Sequence, residues 1–267
     1  GAALLGAAAV LLAAFGAGEA VLAAGRRLFA VAGLPRGEAP DASPVDALLI
    51  GIPAYGRVLA LVALSPLPLG PTAIALTLAA DAAVPLAGGP RLLRALSRLS
   101  EGVRILTPLR ILLFSPPLLL ALSGALAPVN SPDELVYKLA VPKAYLLAGR
   151  MVELPLNSNS YFPAALGMAD LGALVLAGGS AAKVVHVVLF LLSLRVLARL
   201  AERVGPGAGL PAAAAAAWTP ALLLPAGWCW AAWPLVGLLL LTFEAGCRTP
   251  DEPTSADAST FARALGA

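Results

Sequence analysis

The residues best suited to chemistry lie in the stretch SPDELVYKLAVPKAYLLAGR, at positions 131–150 of a chain that is otherwise mostly Ala, Leu, Gly and Val. The stretch holds two adjacent carboxylates and three cations, which are Asp133, Glu134, Lys138, Lys143 and Arg150. Cations can hold a phosphate group while a carboxylate accepts a proton from an incoming hydroxyl. The stretch therefore predicts proton-transfer chemistry on a substrate that carries phosphate.

A purely structural interpretation accounts for part of the same stretch. Ser131 as N-cap, Pro132 at the first helical position and Glu134 three residues after the cap form the pattern of a capping box. Glu134 and Lys138 are spaced as a helix ion pair. The cap does not need Asp133, and attraction to anionic lipid headgroups would need cations but no carboxylates. The structural and the chemical interpretations both stay open at this point.

Composition indicates the surroundings in which these residues work. The chain has 267 residues, of which 60% are hydrophobic and only 12% are charged, whereas a soluble domain carries about 25% charged residues. Its apolar residues form long blocks, and a run of about 20 is enough to cross a bilayer. We therefore predict an all-α integral membrane protein in contact with membrane lipids. The net charge of +3 is small, and we expect no nucleic-acid partner.

Histidine and cysteine usage limits the metal and disulfide chemistry that the sequence predicts. His186 is the single histidine, which excludes a His-rich metal site. Cys229 and Cys247 lie near opposite ends of one apolar block, and they form neither a disulfide framework nor a recognisable metal-ligand spacing.

Basic residues predict which apolar blocks cross the membrane. The blocks lie at about 2–24, 46–64, 71–88, 105–127, 163–178, 181–200, 209–226 and 229–245. Groups of arginines follow the first block, the third block and the block at 181–200, and such residues collect on the cytoplasmic side. All three groups lie on one side only if 163–178 does not cross. That block is short and contains Asp170, so it fits a helix lying in the membrane interface.

The resulting prediction is seven transmembrane helices, plus two interfacial helices in a large external loop, with the N-terminus outside. Residues 1–127 hold four spans, 128–180 form the external loop with the candidate site, 181–245 hold three further spans, and 246–267 form a polar loop or a truncated C-terminus. Gly1 already lies inside an apolar run, so we expect a fragment of a longer protein.

The stretch 133–188 resembles the first large external loop of bacterial GT-C membrane glycosyltransferases. These enzymes use polyprenyl-phosphate sugars and are related to protein O-mannosyltransferases and aminoarabinose transferases. The positions that match the family pattern are Asp133, Glu134, Tyr137, Pro142, Tyr145, Gly149, Phe162, Pro163, Ala181, Ala182, Lys183 and His186. In the family, this loop carries two helices on the membrane surface and leads into a span that runs inward, in agreement with the topology above.

The resemblance implies a reaction and a site. Asp133 would be the catalytic carboxylate, activating an acceptor hydroxyl for inverting attack on the sugar of a polyprenyl-phosphate donor. Glu134 would support it or help bind a divalent metal ion. The residues expected to bind the donor phosphate are Lys138, Lys143 and Arg150, and those expected to contact the substrates are Tyr137, Tyr145, Asn159, Tyr161 and His186. The enzyme would lie in the bacterial inner membrane with its active site on the external face.

The sequence also departs from the family pattern. Lys138 stands where His is common, and WCWAAWPL at 228–235 lacks an Asp that related chains often carry outside the later hairpin. The usual C-terminal half is absent, so an incomplete or inactive enzyme is one alternative. A transporter or flippase-like carrier, with broken helices and polar residues at mid-membrane, is another, and a non-catalytic scaffold is the third. The sequence does not identify the sugar, or whether a glycan, a lipid or a protein accepts it.

Overall fold

The computed structural model describes residues 1–31, 43–87, 93, 97, 107–161, 165–230 and 232–246. Within these ranges every secondary-structure element is helical, as predicted. The α-helices are α1 (Ala2–Val31), α2 (Pro44–Leu64), α3 (Pro71–Ala87), α4 (Pro108–Leu126), α5 (Ala140–Ala148), α6 (Ala165–Ala177), α7 (Gly179–Val204), α8 (Gly209–Trp218), α9 (Pro220–Leu223) and α10 (Ala232–Gly246). A π-helical turn covers Glu134–Lys138, and 3₁₀ turns cover Ser158–Tyr161 and Leu224–Gly227.

Four of the described helices are long and apolar enough to cross a membrane, in agreement with the predicted membrane-protein class. They are α2, α4, α7 and, within α1, residues Ala2–Leu28. The bent pair Gly209–Trp218 and Pro220–Gly227 makes a fifth only if it counts as one span. Helices α3 and α10 have 17 and 15 residues. The predicted number of seven spans is thus not confirmed, and the predicted polar tail from 247 onward lies outside the described residues, as do Phe162 and Pro163.

The sixth predicted span is not one straight helix. Helix α8 ends at Trp218 because Thr219 precedes Pro220, and a residue before proline is pushed out of the helical region. Thr219 accordingly has an extended backbone with φ −73° and ψ 114°. The following segment is bent by 76° from α8. The indole N–H of Trp218 donates to the Leu113 carbonyl at 2.8 Å, which joins the bend to α4.

Helices α1 and α2 pack closely because small residues face each other. Gly18 lies against the backbone carbonyl of Ala47, and Gly51 lies against that of Ala14, so a Cβ at either glycine would collide with the opposite backbone. Small residues let helix backbones approach in apolar surroundings. The two pairings also show that α1 and α2 are antiparallel.

Helix α6 packs against both α1 and α2. Its contacts, taken from its end to its start, are Ala177 with Gly6, Gly172 with Val10 and Tyr55, and Ala165 with Gly56. A Cβ at Gly56 would collide with the backbone carbonyl of Ala165. Small residues therefore let α6 approach the two long helices closely.

Helix α7 is the central helix, and most of its side chains are buried. Near its start, the ammonium of the fully buried Lys183 donates to the carbonyls of Ala127 at 2.8 Å and Pro128 at 3.3 Å. The last carbonyls of a helix have no partner within the helix. Lys183 therefore provides a hydrogen-bond donor for carbonyl groups at the end of α4, and it connects the end of α4 to α7.

The far end of α7 is held by ion pairs. Arg199 donates to Asp46 and to Glu244, both at 2.7 Å, and Arg203 lies 3.5 Å from Glu244. Arg199 also donates to the Ser43 hydroxyl at 3.0 Å. Ser43 is the N-cap of α2 and forms a capping box with Asp46. We call Ser43, Asp46, Arg199, Arg203 and Glu244 the arginine end of the bundle.

Candidate functional site

The predicted site residues lie at the end of the bundle opposite the arginine end. His186 and Arg199 are both in α7, and the 13 positions between their numbers correspond to roughly 20 Å along a helix. We define the loop end as residues 127–161, Asp170, His186 and 228–230. Several polar side chains of the loop end border two cavities.

Asp133 lies exposed at the first cavity. This cavity of about 210 Å³ is lined by Ser131, Pro132, Asp133, Glu134, Trp228, Cys229 and Trp230. The Asp133 carboxylate accepts a hydrogen bond of 3.1 Å from the Tyr137 hydroxyl. Burial raises the pKa of Tyr137, and its hydrogen bond to Asp133 and the charge of Asp133 raise that pKa further. Tyr137 thus stays a donor to Asp133 at neutral pH, and the carboxylate keeps a fixed direction while facing water.

Lys138 lines the second cavity, described below. Its ammonium is 4.7 Å from the centre of the Tyr137 ring, a cation–π contact. Burial lowers the pKa of Lys138, while the charges of Asp133, Asp170 and Cys229 act in the opposite direction. Lys138 is therefore a half-buried cation that is influenced by the exposed carboxylate of Asp133.

Glu134 differs from its neighbour because it is almost completely buried, with 1% of its surface exposed. Its Oε2 accepts from the backbone N–H of Ser131 at 3.4 Å, which is half of the predicted capping box. Its Oε1 accepts from the backbone N–H of Cys229 at 2.8 Å. Both carboxylate oxygens therefore bind backbone groups, and the geometry fits a structural role.

The second cavity, of about 80 Å³, is bordered by Lys138, Tyr145, Asn159, Asp170, His186 and Cys229, among other residues. At its wall the His186 Nε2 lies 3.0 Å and 3.2 Å from the two carboxylate oxygens of Asp170. The His186 Nδ1 lies 3.1 Å from the Trp230 carbonyl. Burial raises the pKa of the Cys229 thiol well above its usual value, and the charges of Asp170 and Glu134 raise it further, against the opposing charge of Lys183. Asp170, His186 and Cys229 together form a buried cluster of side chains that can bind metal.

The remaining predicted residues divide into two groups. Tyr145 is buried and donates to the Ser160 carbonyl at 3.3 Å, and Asn159 borders the second cavity beside it. Lys143 and Arg150 are exposed and line neither of the two cavities. The side chain of Tyr161 lies outside the described part of the chain. Of the three predicted phosphate ligands, Lys138 alone lines one of these two cavities.

Two residues of the cluster were missed by the sequence prediction. Asp170 was noted only as a charge in a short apolar block, and Cys229 only as a cysteine without metal-ligand spacing. Asp170 is 16 positions from His186 in the sequence, and Cys229 lies further along, in the turn before α10. Ligands on three separate elements produce no local spacing pattern. The one available signal is that Asp170 and Cys229 each stand in a mostly apolar stretch of the sequence.

Comparisons of the chain with protein-family models, with curated proteins and with solved structures give no match.

Proposed function

We propose that the chain is a membrane glycosyltransferase. It transfers a sugar from a polyprenyl-phosphate donor to an acceptor hydroxyl at the external face of a bacterial inner membrane, with inversion at the anomeric carbon. The single observation that carries the proposal is the position of Asp133. Its exposed carboxylate lies at a cavity lined by two tryptophans, and the charge of this carboxylate acts on the half-buried Lys138.

Asp133 acts as the general base. The acceptor oxygen attacks the anomeric carbon while the bond from that carbon to the phosphate oxygen breaks, and the electrons of that bond leave with the polyprenyl phosphate. Asp133 takes the proton of the acceptor hydroxyl, a contribution typically worth ~10²–10⁴-fold in rate. The Tyr137 hydroxyl holds the carboxylate in place. The indole rings of Trp228 and Trp230, with centroids 6.4 Å apart, offer flat apolar surfaces for a sugar ring.

Lys138 holds the donor phosphate. Negative charge grows on the phosphate as the sugar departs, and a cation that is already in place stabilises that charge without reorganising. Its half-buried position strengthens the attraction, because charges interact more strongly away from bulk water. Glu134 contributes by keeping the start of the loop folded, through its bonds to Ser131 and Cys229.

The arginine end supports the proposed orientation in the membrane. Arg199 and Arg203 lie there, and cationic residues are retained on the cytoplasmic side. The loop end is at the other end of α7, so its cavities open on the external side. In this arrangement α5 and α6 are the interfacial helices, and both belong to the segment that connects α4 with α7. Counting α3, the bent pair and α10 as crossing gives the seven proposed spans.

Replacement of Asp133 by Asn tests the proposal. Membranes containing the Asp133→Asn variant are expected to transfer sugar from a labelled polyprenyl-phosphate donor at least ~100-fold more slowly than wild type, because the base is lost. Glu153→Gln is the matched control, since Glu153 is an exposed carboxylate of the same loop that lines neither cavity. Transfer by Asp133→Asn at the control rate would refute the assignment of Asp133.

A lipid carrier is the second candidate function, and the bent pair at Thr219 is the observation that favours it. Broken helices are typical of transporters, where they expose backbone groups to a substrate. In the described residues, however, the hydrogen bond from Trp218 to the Leu113 carbonyl of α4 stabilises the bend. The residues around it, Thr219, Pro220 and Leu222, carry no charge. Movement of a fluorescent polyprenyl-phosphate lipid across proteoliposomes, unaffected by Asp133→Asn, would favour the carrier over the enzyme.

A further inference from the structure

We propose that Asp170, His186 and Cys229 bind a zinc ion at the wall of the second cavity. The three residues come from α6, from α7 and from the turn before α10, and all are buried, with exposed fractions of 5%, 2% and 1%. One potential ligand atom from each lies within 4.8 Å of the other two. Carboxylate oxygen, imidazole nitrogen and thiolate sulfur are each ligands of zinc in proteins.

The hydrogen bonding of His186 presents a lone pair to the other two ligands. A carbonyl can only accept, so the contact of 3.1 Å with the Trp230 carbonyl requires the proton on Nδ1. In the neutral ring Nε2 is then unprotonated, and it faces the two oxygens of Asp170 at 3.0 Å and 3.2 Å. Two acceptors this close in a buried position need a cation between them, which is either a proton or a metal ion.

The outer contacts of the cluster favour the metal ion. Histidine ligands of metals usually donate their second N–H to a carbonyl or carboxylate, which fixes the ring, and His186 does so to Trp230. The backbone of Cys229 is held in turn by its N–H bond to the buried Glu134. Two of the three ligands are therefore oriented by groups outside the cluster.

The dimensions also suit zinc. Two light-atom ligands at about 2.0 Å from a tetrahedral zinc ion lie roughly 3.3 Å apart, close to the contact of 3.0 Å between Asp170 and His186. Binding displaces the thiol proton of Cys229. The carboxylate and the thiolate then balance the charge of a divalent ion, so that the buried site is neutral. The mixture of one sulfur, one nitrogen and one oxygen ligand favours zinc over magnesium or calcium, which prefer oxygen ligands alone.

Three protein ligands leave the fourth tetrahedral position free for water from the second cavity, which all three residues border. The zinc ion would tie α6, α7 and the turn before α10 together beneath Lys138. This inference concerns metal binding and does not depend on the transfer reaction.

Metal analysis of the purified full-length chain tests the site. The protein in detergent is stripped with a chelator, reloaded with Zn²⁺ and dialysed, and its zinc is measured by mass spectrometry. We expect one zinc per chain in the wild type. Cys229→Ser should bind zinc at least ~10-fold more weakly, since even the loss of an outer partner costs ~10–100-fold in affinity. Cys247→Ser removes the other cysteine of the chain and should leave zinc binding unchanged.

Cobalt substitution keeps the test decisive if Cys229→Ser does not fold. Cobalt-loaded wild type and Cys247→Ser should both show a thiolate-to-cobalt charge-transfer band, which assigns the sulfur ligand to Cys229 without the Cys229 variant. Absence of stoichiometric zinc and of this band in folded wild type would overturn the proposal and leave a protonated His186 paired with Asp170. Equal zinc affinity in folded Cys229→Ser would overturn it as well.

Discussion

The backbone N–H of Cys229 donates a hydrogen bond of 2.8 Å to the buried carboxylate of Glu134, across 95 positions of sequence. The other oxygen of the same carboxylate accepts from the backbone of Ser131. One side chain thus connects the start of the loop with the turn that carries Trp228 and Trp230. A carboxylate whose two oxygens are both engaged with backbone is suited to positioning its neighbour Asp133, and less suited to exchanging protons with a substrate.

Substitutions at Glu134 distinguish a role in positioning Asp133 from a direct role of Glu134 in acid–base chemistry. Glu134→Ala is expected to lower the free energy of unfolding by about 1–3 kcal/mol, because it leaves the buried N–H of Cys229 without a partner. Glu134→Gln keeps one carbonyl acceptor and should lose less. Thermal unfolding of the detergent-solubilised variants measures the difference. A Glu134→Gln variant with wild-type stability and no transfer activity would show instead that the carboxylate itself takes part in the reaction.

The two lysines of the loop are expected to differ in their effect on the donor. Lys138→Ala should raise the KM for the polyprenyl-phosphate sugar, because the half-buried ammonium borders the second cavity and is influenced by the charge of Asp133. Lys143→Ala should leave the KM unchanged, because Lys143 is exposed and outside both cavities. Steady-state kinetics measures the KM of the two variants. Equal increases in KM would indicate that both lysines act only by attracting anionic lipid.

The pKa of Lys138 gives the transfer reaction a pH dependence. Burial lowers this pKa, against the opposing effect of Asp133 and Asp170. The lysine binds phosphate only while protonated, so kcat/KM should fall as the pH rises through the lowered pKa, below the usual value of about 10.4. Lys138→Arg should move this decline to higher pH, since arginine stays protonated. An identical alkaline limb in both proteins would exclude Lys138 as its cause.

Loss of Arg199 should destabilise the bundle at the arginine end. Arg199→Met leaves Glu244, which is only 1% exposed, without its 2.7 Å partner. Breaking a buried ion pair typically costs about 3–5 kcal/mol. Adding Glu244→Leu should restore part of the loss, because the buried carboxylate that has lost its 2.7 Å partner is then removed. Arg27→Met is the control, since Arg27 is exposed, and denaturant titration in detergent should show no shift for it.

Glycine substitutions test the close contact of α1 and α2. Gly51→Ala is expected to cost about 1–3 kcal/mol, the usual range for overpacking, because the new methyl group meets the Ala14 carbonyl. Gly25→Ala in α1 points into open space and should leave stability unchanged or raise it by up to about 1 kcal/mol through helix propensity. Similar Tm values for both variants would show that the helices are less closely packed than described.

The sequence predicted the coarse fold because that depends on composition and local pattern. Long apolar blocks predicted the helices, and the placement of Arg199 away from Asp133 followed from counting basic residues. The break at Thr219 was also encoded locally, since the residue before Pro220 avoids helical geometry, but hydropathy alone merges the two segments into one block. The capping pattern at Ser131 predicts the bond from its backbone N–H to Glu134, but not the bond from the distant Cys229 to the other oxygen of the same carboxylate.

The metal-binding cluster could not be predicted from local sequence. Asp170 meets His186 because α6 packs against α7, and Cys229 meets both because the turn before α10 folds back to the loop end. These are tertiary contacts between elements that share no common spacing. Lys138 could likewise be distinguished from Lys143 only in three dimensions, where Lys138 borders the second cavity and Lys143 lines neither cavity.

The bonds from Lys183 to Ala127 and Pro128 have a consequence for how the intervening segment can move. They hold its first and last residues side by side, so the segment forms a closed loop between α4 and α7. Movements of its middle are thereby separated from movements of its ends, and the two long helices can stay in register while a substrate enters or leaves.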